Sequence, residues 1–230
     1  MLVVAAVACS SAPKTASKDE AGRFVSIPVH DSTGTIELSG VDHGSGSVGV
    51  LLAHMLGSDQ EAWTPLIPAL LAQGFHVLTF NFRGHGVSGG TRDPSTAAVD
   101  VEAAVAKFKT LGVQRILVVG ASMGGTGALF AAKDETFAAI VSISAPAQIG
   151  SLDAQKAVRF LHAPMLFIAG AGDDKRYVDS ARSLYAAAPQ QKRLDIVDGT
   201  NAHGTDLLID PKVGSKVRKT IVQFLLDNRG

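Results

Sequence analysis

Residues 115–124 read Arg115-Ile116-Leu117-Val118-Val119-Gly120-Ala121-Ser122-Met123-Gly124, and a run with helical composition, residues 126–133, follows. Ile116 to Val119 form an apolar run of strand length, and Gly120 to Gly124 fit the pattern G-x-S-x-G. A serine on a tight strand-to-helix turn has its hydroxyl pushed out above the end of the sheet. Small flanking residues let strand and helix approach closely enough to hold such a turn. In a chain with 24 glycines among 230 residues the pattern alone has little specificity. Its meaning rests on what lies around it.

Outward from this turn the chain alternates strand-like and helix-like segments. Apolar runs of strand length occupy residues 48–53, 75–80, 138–142, 165–169 and 194–197, and being apolar on both faces they predict strands covered by helices on both sides. Helical periodicity covers about 60–73, 96–111, 123–133, 178–188 and 212–228. Residues 23–30 and 35–38 alternate apolar and polar around a turn at 31–34, the pattern of a β-hairpin. The expectation is an α/β domain: an open, mostly parallel sheet of about eight strands, with right-handed crossovers, helices on both faces and an N-terminal hairpin. The short connection between residues 142 and 165 leaves no room for a large cap domain. Trp63, Met165, Phe167 and Phe160 read as core. Ligands of such sheets bind beyond the carboxyl ends of the strands, where Ser122 falls.

The bulk numbers agree with one domain of this kind. The chain is 46% hydrophobic and 18% charged, and 21 basic residues balance 21 acidic ones, so no net field gathers nucleic acid. The only cysteine is Cys9, which excludes an intramolecular disulfide and a thiolate metal cluster. Cys9 follows Leu2-Val3-Val4-Ala5-Ala6-Val7-Ala8 and precedes a polar stretch through Gly22, an arrangement resembling a bacterial lipoprotein signal. On that reading residues 1–22 are export signal and tether, residues 23–230 are the folded domain, and Cys9 carries a lipid anchor at the cell envelope. Without the anchor the chain reads as cytoplasmic. His30, His43, His76 and His162 show no metal-ligand spacing, so neither metal nor cofactor is expected.

A serine hydroxyl is a poor nucleophile at neutral pH and needs a base. Of the seven histidines, His203 in Gly199-Thr200-Asn201-Ala202-His203-Gly204 follows the last strand, where its ring can reach over the sheet edge toward Ser122. The imidazole needs a carboxylate on its other nitrogen, and Asp173 and Asp174 follow the strand at 165–169. One of this pair is expected to orient His203, while capping of the helix starting near Lys175 occupies the other.

The order Ser122, then Asp173 or Asp174, then His203, resembles the α/β-hydrolase superfamily, and within it the small, cap-poor esterases akin to dienelactone hydrolases and lysophospholipases. The resemblance runs from about residue 48 to the end. His54-Met55-Leu56-Gly57 is similar to the family's His-Gly-x oxyanion loop, with Met55 where glycine is usual. Asn81-Phe82-Arg83-Gly84-His85-Gly86-Val87-Ser88 is similar to its D-x-R-G-x-G-x-S loop. The N–H of Met123 is the expected first oxyanion donor. The resemblance implies Leu56, or failing that Met55, as the second; His54 is expected at the substrate site, and Arg83 and His85 are expected as loop-shaping and site-wall residues rather than catalysts. Gly84 to Gly89 also fit the dinucleotide fingerprint G-x-G-x-x-G, but no helix opens directly at it.

The implied activity is hydrolysis of a small-molecule carboxylic ester or thioester through an acyl-enzyme. An amidase or peptidase with the same triad, and a non-catalytic envelope protein that binds ligand on this fold, are the alternatives.

Overall fold

In the computed structural model, residues 22–31, 34–189 and 191–230 are described; Cys9 and the expected tether lie outside them. The strands are β1 Arg23–Asp31, β2 Gly34–His43, β3 Val48–Ala53, β4 His76–Phe80, β5 Arg115–Ala121, β6 Ile140–Ile143, β7 Gln148–Ile149, β8 Leu152–Asp153, β9 Met165–Gly170 and β10 Lys192–Val197. The α-helices are α1 Ile67–Ala72, α2 Ala97–Thr110, α3 Met123–Ala131, α4 Ala154–Ala157, α5 Lys175–Ala187 and α6 Gly214–Asp227.

Eight strands form one sheet in the order β1-β2-β4-β3-β5-β6-β9-β10. β1 pairs antiparallel with β2 and β2 with β4, and every remaining pair is parallel. β2 runs to His43 rather than stopping at Leu38, because its second half also pairs with β4, from Gly40 opposite Phe80 to His43 opposite Val77. Between β6 and β9 the chain makes only the small β7–β8 hairpin, α4 and a 3-10 turn, Val158–Phe160, so the sheet edge carries no large cap.

The double-sided burial has a simple origin. Successive strand side chains point to opposite faces, so Leu51, Ala53, Leu78, Phe80 and Val118 pack into one core with Val101 and Phe108 of α2 and Leu129 of α3. Val50, Leu52, Val77, Leu117 and Val119 pack into the other, with Trp63, Leu70 of α1 and Ile221 and Leu225 of α6.

Two expectations fail for physical reasons. The periodic segment at 60–73 is not one helix but a 3-10 turn, Gln60–Trp63, followed by α1. Pro65 and Pro68 have no N–H to donate to the preceding turn, so a continuous helix cannot pass through them. Phe160 is not core but 76% exposed. Ala154, Ala157, Val158 and Leu161 bury the inner face of that segment, and this periodicity turns Phe160 outward.

The register lines up the strand ends. Ala53 of β3 lies opposite Gly120 of β5, Ala121 opposite Ile143 of β6, Ile143 opposite Ile168 of β9, and Gly170 opposite Val197 of β10. His54, Ser122, Asp173 and His203 all follow these carboxyl ends, so one edge of the sheet collects them.

Candidate active site

Ser122 joins β5 to α3 with φ 48° and ψ −115°, a backbone conformation that side chains rarely adopt. Holding it costs on the order of 1–3 kcal/mol. The Ser122 N–H donates to the Ile143 carbonyl at 2.8 Å, and Thr126 N–H donates to the Ser122 carbonyl at 3.0 Å, fixing the turn from both sides. The motif glycines are required by contact. A Cβ on Gly120 would lie 2.5 Å from the Gly124 carbonyl oxygen, and one on Gly124 would overlap the Ala53 carbonyl and lie 2.6 Å from that of His54. The serine side chain makes no cap hydrogen bond, so its hydroxyl is not consumed in starting α3. Met123 opens the helix, and N–H groups of a first turn have no intrahelical acceptor.

Asp173 and Asp174 part company. The Asp173 side chain is buried, and its Oδ2 lies 2.8 Å from His203 Nδ1 while Oδ1 accepts the Asp174 N–H at 2.7 Å. Asp174 caps α5, accepting the Arg176 N–H at 3.0 Å, and stays half exposed beside the Arg176 guanidinium. Of the two candidates it is thus Asp173 that meets His203, while helix capping holds Asp174 away from the ring. The acid loop and the histidine loop are joined by Gly172 N–H donating to the Thr200 carbonyl at 2.9 Å and Ala171 N–H to that of Val197 at 2.8 Å.

With a carboxylate at Nδ1, that nitrogen carries the proton and Nε2 presents a lone pair. Gly204, next to His203, packs so closely that a Cβ would lie 2.7 Å from Met55 Sδ and 3.7 Å from the Ala121 Cβ. The histidine loop thus rests on the residue preceding Ser122. Among the described residues no hydrogen bond closes the step from His203 Nε2 to the Ser122 hydroxyl. Tyr177, which the sequence reading did not single out, stacks on His203 with ring centroids 4.0 Å apart. It lies in the first turn of α5, three residues after the Asp174 cap.

His54, Arg83 and His85, expected beside the substrate site, are each engaged by neighbouring groups of the protein. His54 is fully buried, with Nδ1 2.8 Å from the Met55 carbonyl oxygen and Nε2 accepting the Phe82 N–H at 3.1 Å. Burial is the main force pushing its pKa from 6.5 down to about 4; the Met55 carbonyl opposes the shift and His85 adds to it. Arg83 is held by Asp100 of α2 through its backbone N–H at 3.0 Å, Nε at 2.9 Å and Nη2 at 2.7 Å, all buried. His85 is buried with Nδ1 3.0 Å from the Arg83 carbonyl oxygen. Leu56, by contrast, is half exposed at the tip of the loop after β3, and Met55 is partly buried against the histidine loop.

Among the described residues no group of three or more His, Cys, Asp or Glu is placed to hold a metal ion, and no helix is long and apolar enough to cross a membrane.

Comparison with known proteins agrees with this architecture. Residues 48–200 match the family described as alpha/beta hydrolase fold. An uncharacterized protein of Mycobacterium tuberculosis is 28% identical over 221 residues, covering 85% of this chain and 78% of the relative. The esterase Pf2001 of Pyrococcus furiosus superposes with a TM-score of 0.75 at 22% identity, over 97% of this chain and 98% of that one. The monoacylglycerol lipase of Paleococcus ferrophilus gives 0.73 at 18% identity, over 84% and 99% of the two chains. At these identities the two enzymes share the fold with this chain.

Proposed function

The chain belongs to the alpha/beta hydrolase fold family, and from that premise we propose that it is a serine hydrolase cleaving carboxylic esters or thioesters through an acyl-enzyme. The observation that carries the reading is a strained, uncapped Ser122 at the edge of the sheet, beside a loop whose His203 is hydrogen-bonded to a buried Asp173.

Ser122 Oγ attacks the carbonyl carbon while His203 Nε2 takes its proton. Asp173 holds the imidazole in the tautomer with Nδ1–H and stabilises the imidazolium that forms. The carbonyl oxygen becomes an oxyanion received by the N–H groups of Met123 and Leu56. As the tetrahedral species collapses, the bond to the leaving oxygen or sulfur breaks and His203 Nε2 gives the proton to it. Water, deprotonated by the same nitrogen, then attacks the acyl-Ser122 ester, and as the bond to Ser122 Oγ breaks Nε2 returns the proton to that oxygen and the acid is released. The oxyanion donors supply the largest share of rate, roughly 100–1,000-fold for each one.

Hydrolysis of p-nitrophenyl esters over a range of acyl lengths, with wild type beside Ser122→Ala, tests the reading. Turnover that disappears in the variant supports it; an inert wild type favours the amidase or binding-protein alternatives. We further propose that Cys9 carries a lipid at the cell envelope, on the strength of the apolar and small residues from Leu2 to Ser11. Incorporation of labelled palmitate that is lost in Cys9→Ala tests this.

A further inference from the structure

Hydrogen bonding secures only one edge of the His203 imidazole. Asp173 Oδ2 lies 2.8 Å from Nδ1, and among the described residues no hydrogen bond holds Nε2. The terminal torsion of a histidine is broad, so a ring tied at one edge can rock about its Cβ–Cγ bond and swing Nε2 away from Ser122. Resting on the hydrolase reading above, we infer that Tyr177 is a positioning residue of the reaction: its ring lies against the face of the His203 imidazole and keeps Nε2 aimed at the Ser122 hydroxyl.

The contact is close. The two ring centroids are 4.0 Å apart with the planes tilted by 43°, nearer than the separation of about 4.5–7 Å usual for aromatic pairs. No other aromatic ring among the described residues packs on His203. The Tyr177 hydroxyl has no hydrogen-bond partner among the described residues, so the part of this side chain that acts is the ring.

One short piece of chain presents both contacts to the imidazole. Asp173 N–H donates to the Gly170 carbonyl at 3.1 Å, and Tyr177 N–H to that of Asp174, the cap of α5, at 2.9 Å. The carboxylate at the edge of the imidazole and the phenol on its face are thus set by the same helix start. Arg176 packs on the phenol in turn, with its guanidinium 4.7 Å from the ring centroid and Nε 3.3 Å from Asp174 Oδ2. The histidine loop cannot yield instead. Gly204 rests on Met55, and Asp206 N–H donates to the His203 carbonyl at 3.0 Å.

The contact strengthens as the reaction proceeds. When Nε2 takes the serine proton the imidazole becomes a cation, and the negative face of an aromatic ring within about 6 Å attracts it. An interaction stronger in the transition state than in the ground state raises kcat rather than lowering KM.

The test compares Tyr177→Ala, which removes the ring, with Tyr177→Phe, which keeps it. On a p-nitrophenyl ester, Tyr177→Ala is expected to lower kcat about 3–10-fold, the size of one aromatic contact, with KM changed less than about twofold. Labelling of Ser122 by a fluorophosphonate should slow by a similar factor, and Tyr177→Phe should recover most of both rates. Wild-type kcat in Tyr177→Ala, a rise in KM alone, or a Tyr177→Phe as impaired as the alanine variant overturns the inference and leaves the hydrolase reading standing. A wild type with neither turnover nor labelling overturns the hydrolase reading and this one with it. Should Tyr177→Ala fail to fold, proton spectra of the wild type decide. Imidazole carbon-bound protons of His203 moved upfield by the phenol, with Overhauser contacts to the Tyr177 ring, are expected; their absence overturns the inference.

Discussion

Acidification should cost this protein stability through a single buried imidazole. His54 is fully buried, and its pKa is pushed from 6.5 to about 4, first by desolvation and further by the neighbouring His85, with the Met55 carbonyl opposing. As pH falls through 6.5 the unfolded chain binds a proton at this position, while the folded protein refuses it until about pH 4. Stability present above pH 6.5 is therefore lost progressively down to about pH 4. A gap of about 2.5 pKa units corresponds to about 3.5 kcal/mol at about 1.4 kcal/mol per unit. The assay is urea unfolding at half-unit steps from pH 7.5 to 4.5, comparing wild type with His54→Gln, which keeps polar partners but does not titrate. Contributions from the other histidines cancel in the difference. Wild type should lose about 2–3 kcal/mol more than the variant over this range. Parallel curves, or a His54 resonance titrating near pH 6.5, would refute the reasoning.

Three further outcomes follow from the geometry. Asp173→Asn should lower kcat by roughly 10⁴-fold, by favouring the wrong tautomer of His203, whereas Asp174→Ala should leave kcat near wild type and cost about 1 kcal/mol of stability as a lost cap; ester kinetics and thermal melts separate the two. Gly124→Ala forces a methyl group against the Ala53 and His54 carbonyls, neither of which is a side chain that can swing aside. It should destabilise by at least about 1–3 kcal/mol, a fall in Tm of roughly 2–4 °C per kcal/mol read by calorimetry. Ser122→Gly relieves the φ 48° strain that Ser122→Ala retains, so the glycine variant should be the more stable of these two inactive proteins by about 1 kcal/mol in urea.

The fold was legible because its signals are local. Doubly apolar strands at 48–53 and 165–169, a hairpin beginning at Arg23 and five helical segments were enough to predict a mostly parallel sheet, and the strand ends then placed Ser122, the aspartates and His203 on one edge. What stayed hidden depended on direction rather than position. Asp173 and Asp174 are adjacent in the chain, and only the start of α5 shows which one caps the helix and which faces His203. Arg83, His54 and His85 carry groups that commonly bind ligands, and the sequence could not reveal that Asp100, the Phe82 N–H and the Arg83 carbonyl use them internally. Tyr177 was missed because a tyrosine in the first turn of a helix has no pattern that distinguishes stacking on a site from packing on a surface.

The central claim is that Ser122 is a nucleophile activated by its setting, and covalent trapping tests it most directly. Wild type, Ser122→Ala and Asp173→Asn would be incubated with a fluorophosphonate, and the modified peptide located by mass spectrometry. The account predicts one phosphonyl group per chain on Ser122, none in Ser122→Ala and much slower labelling in Asp173→Asn. Ester hydrolysis that survives in Ser122→Ala, or a label on any other residue, would contradict it.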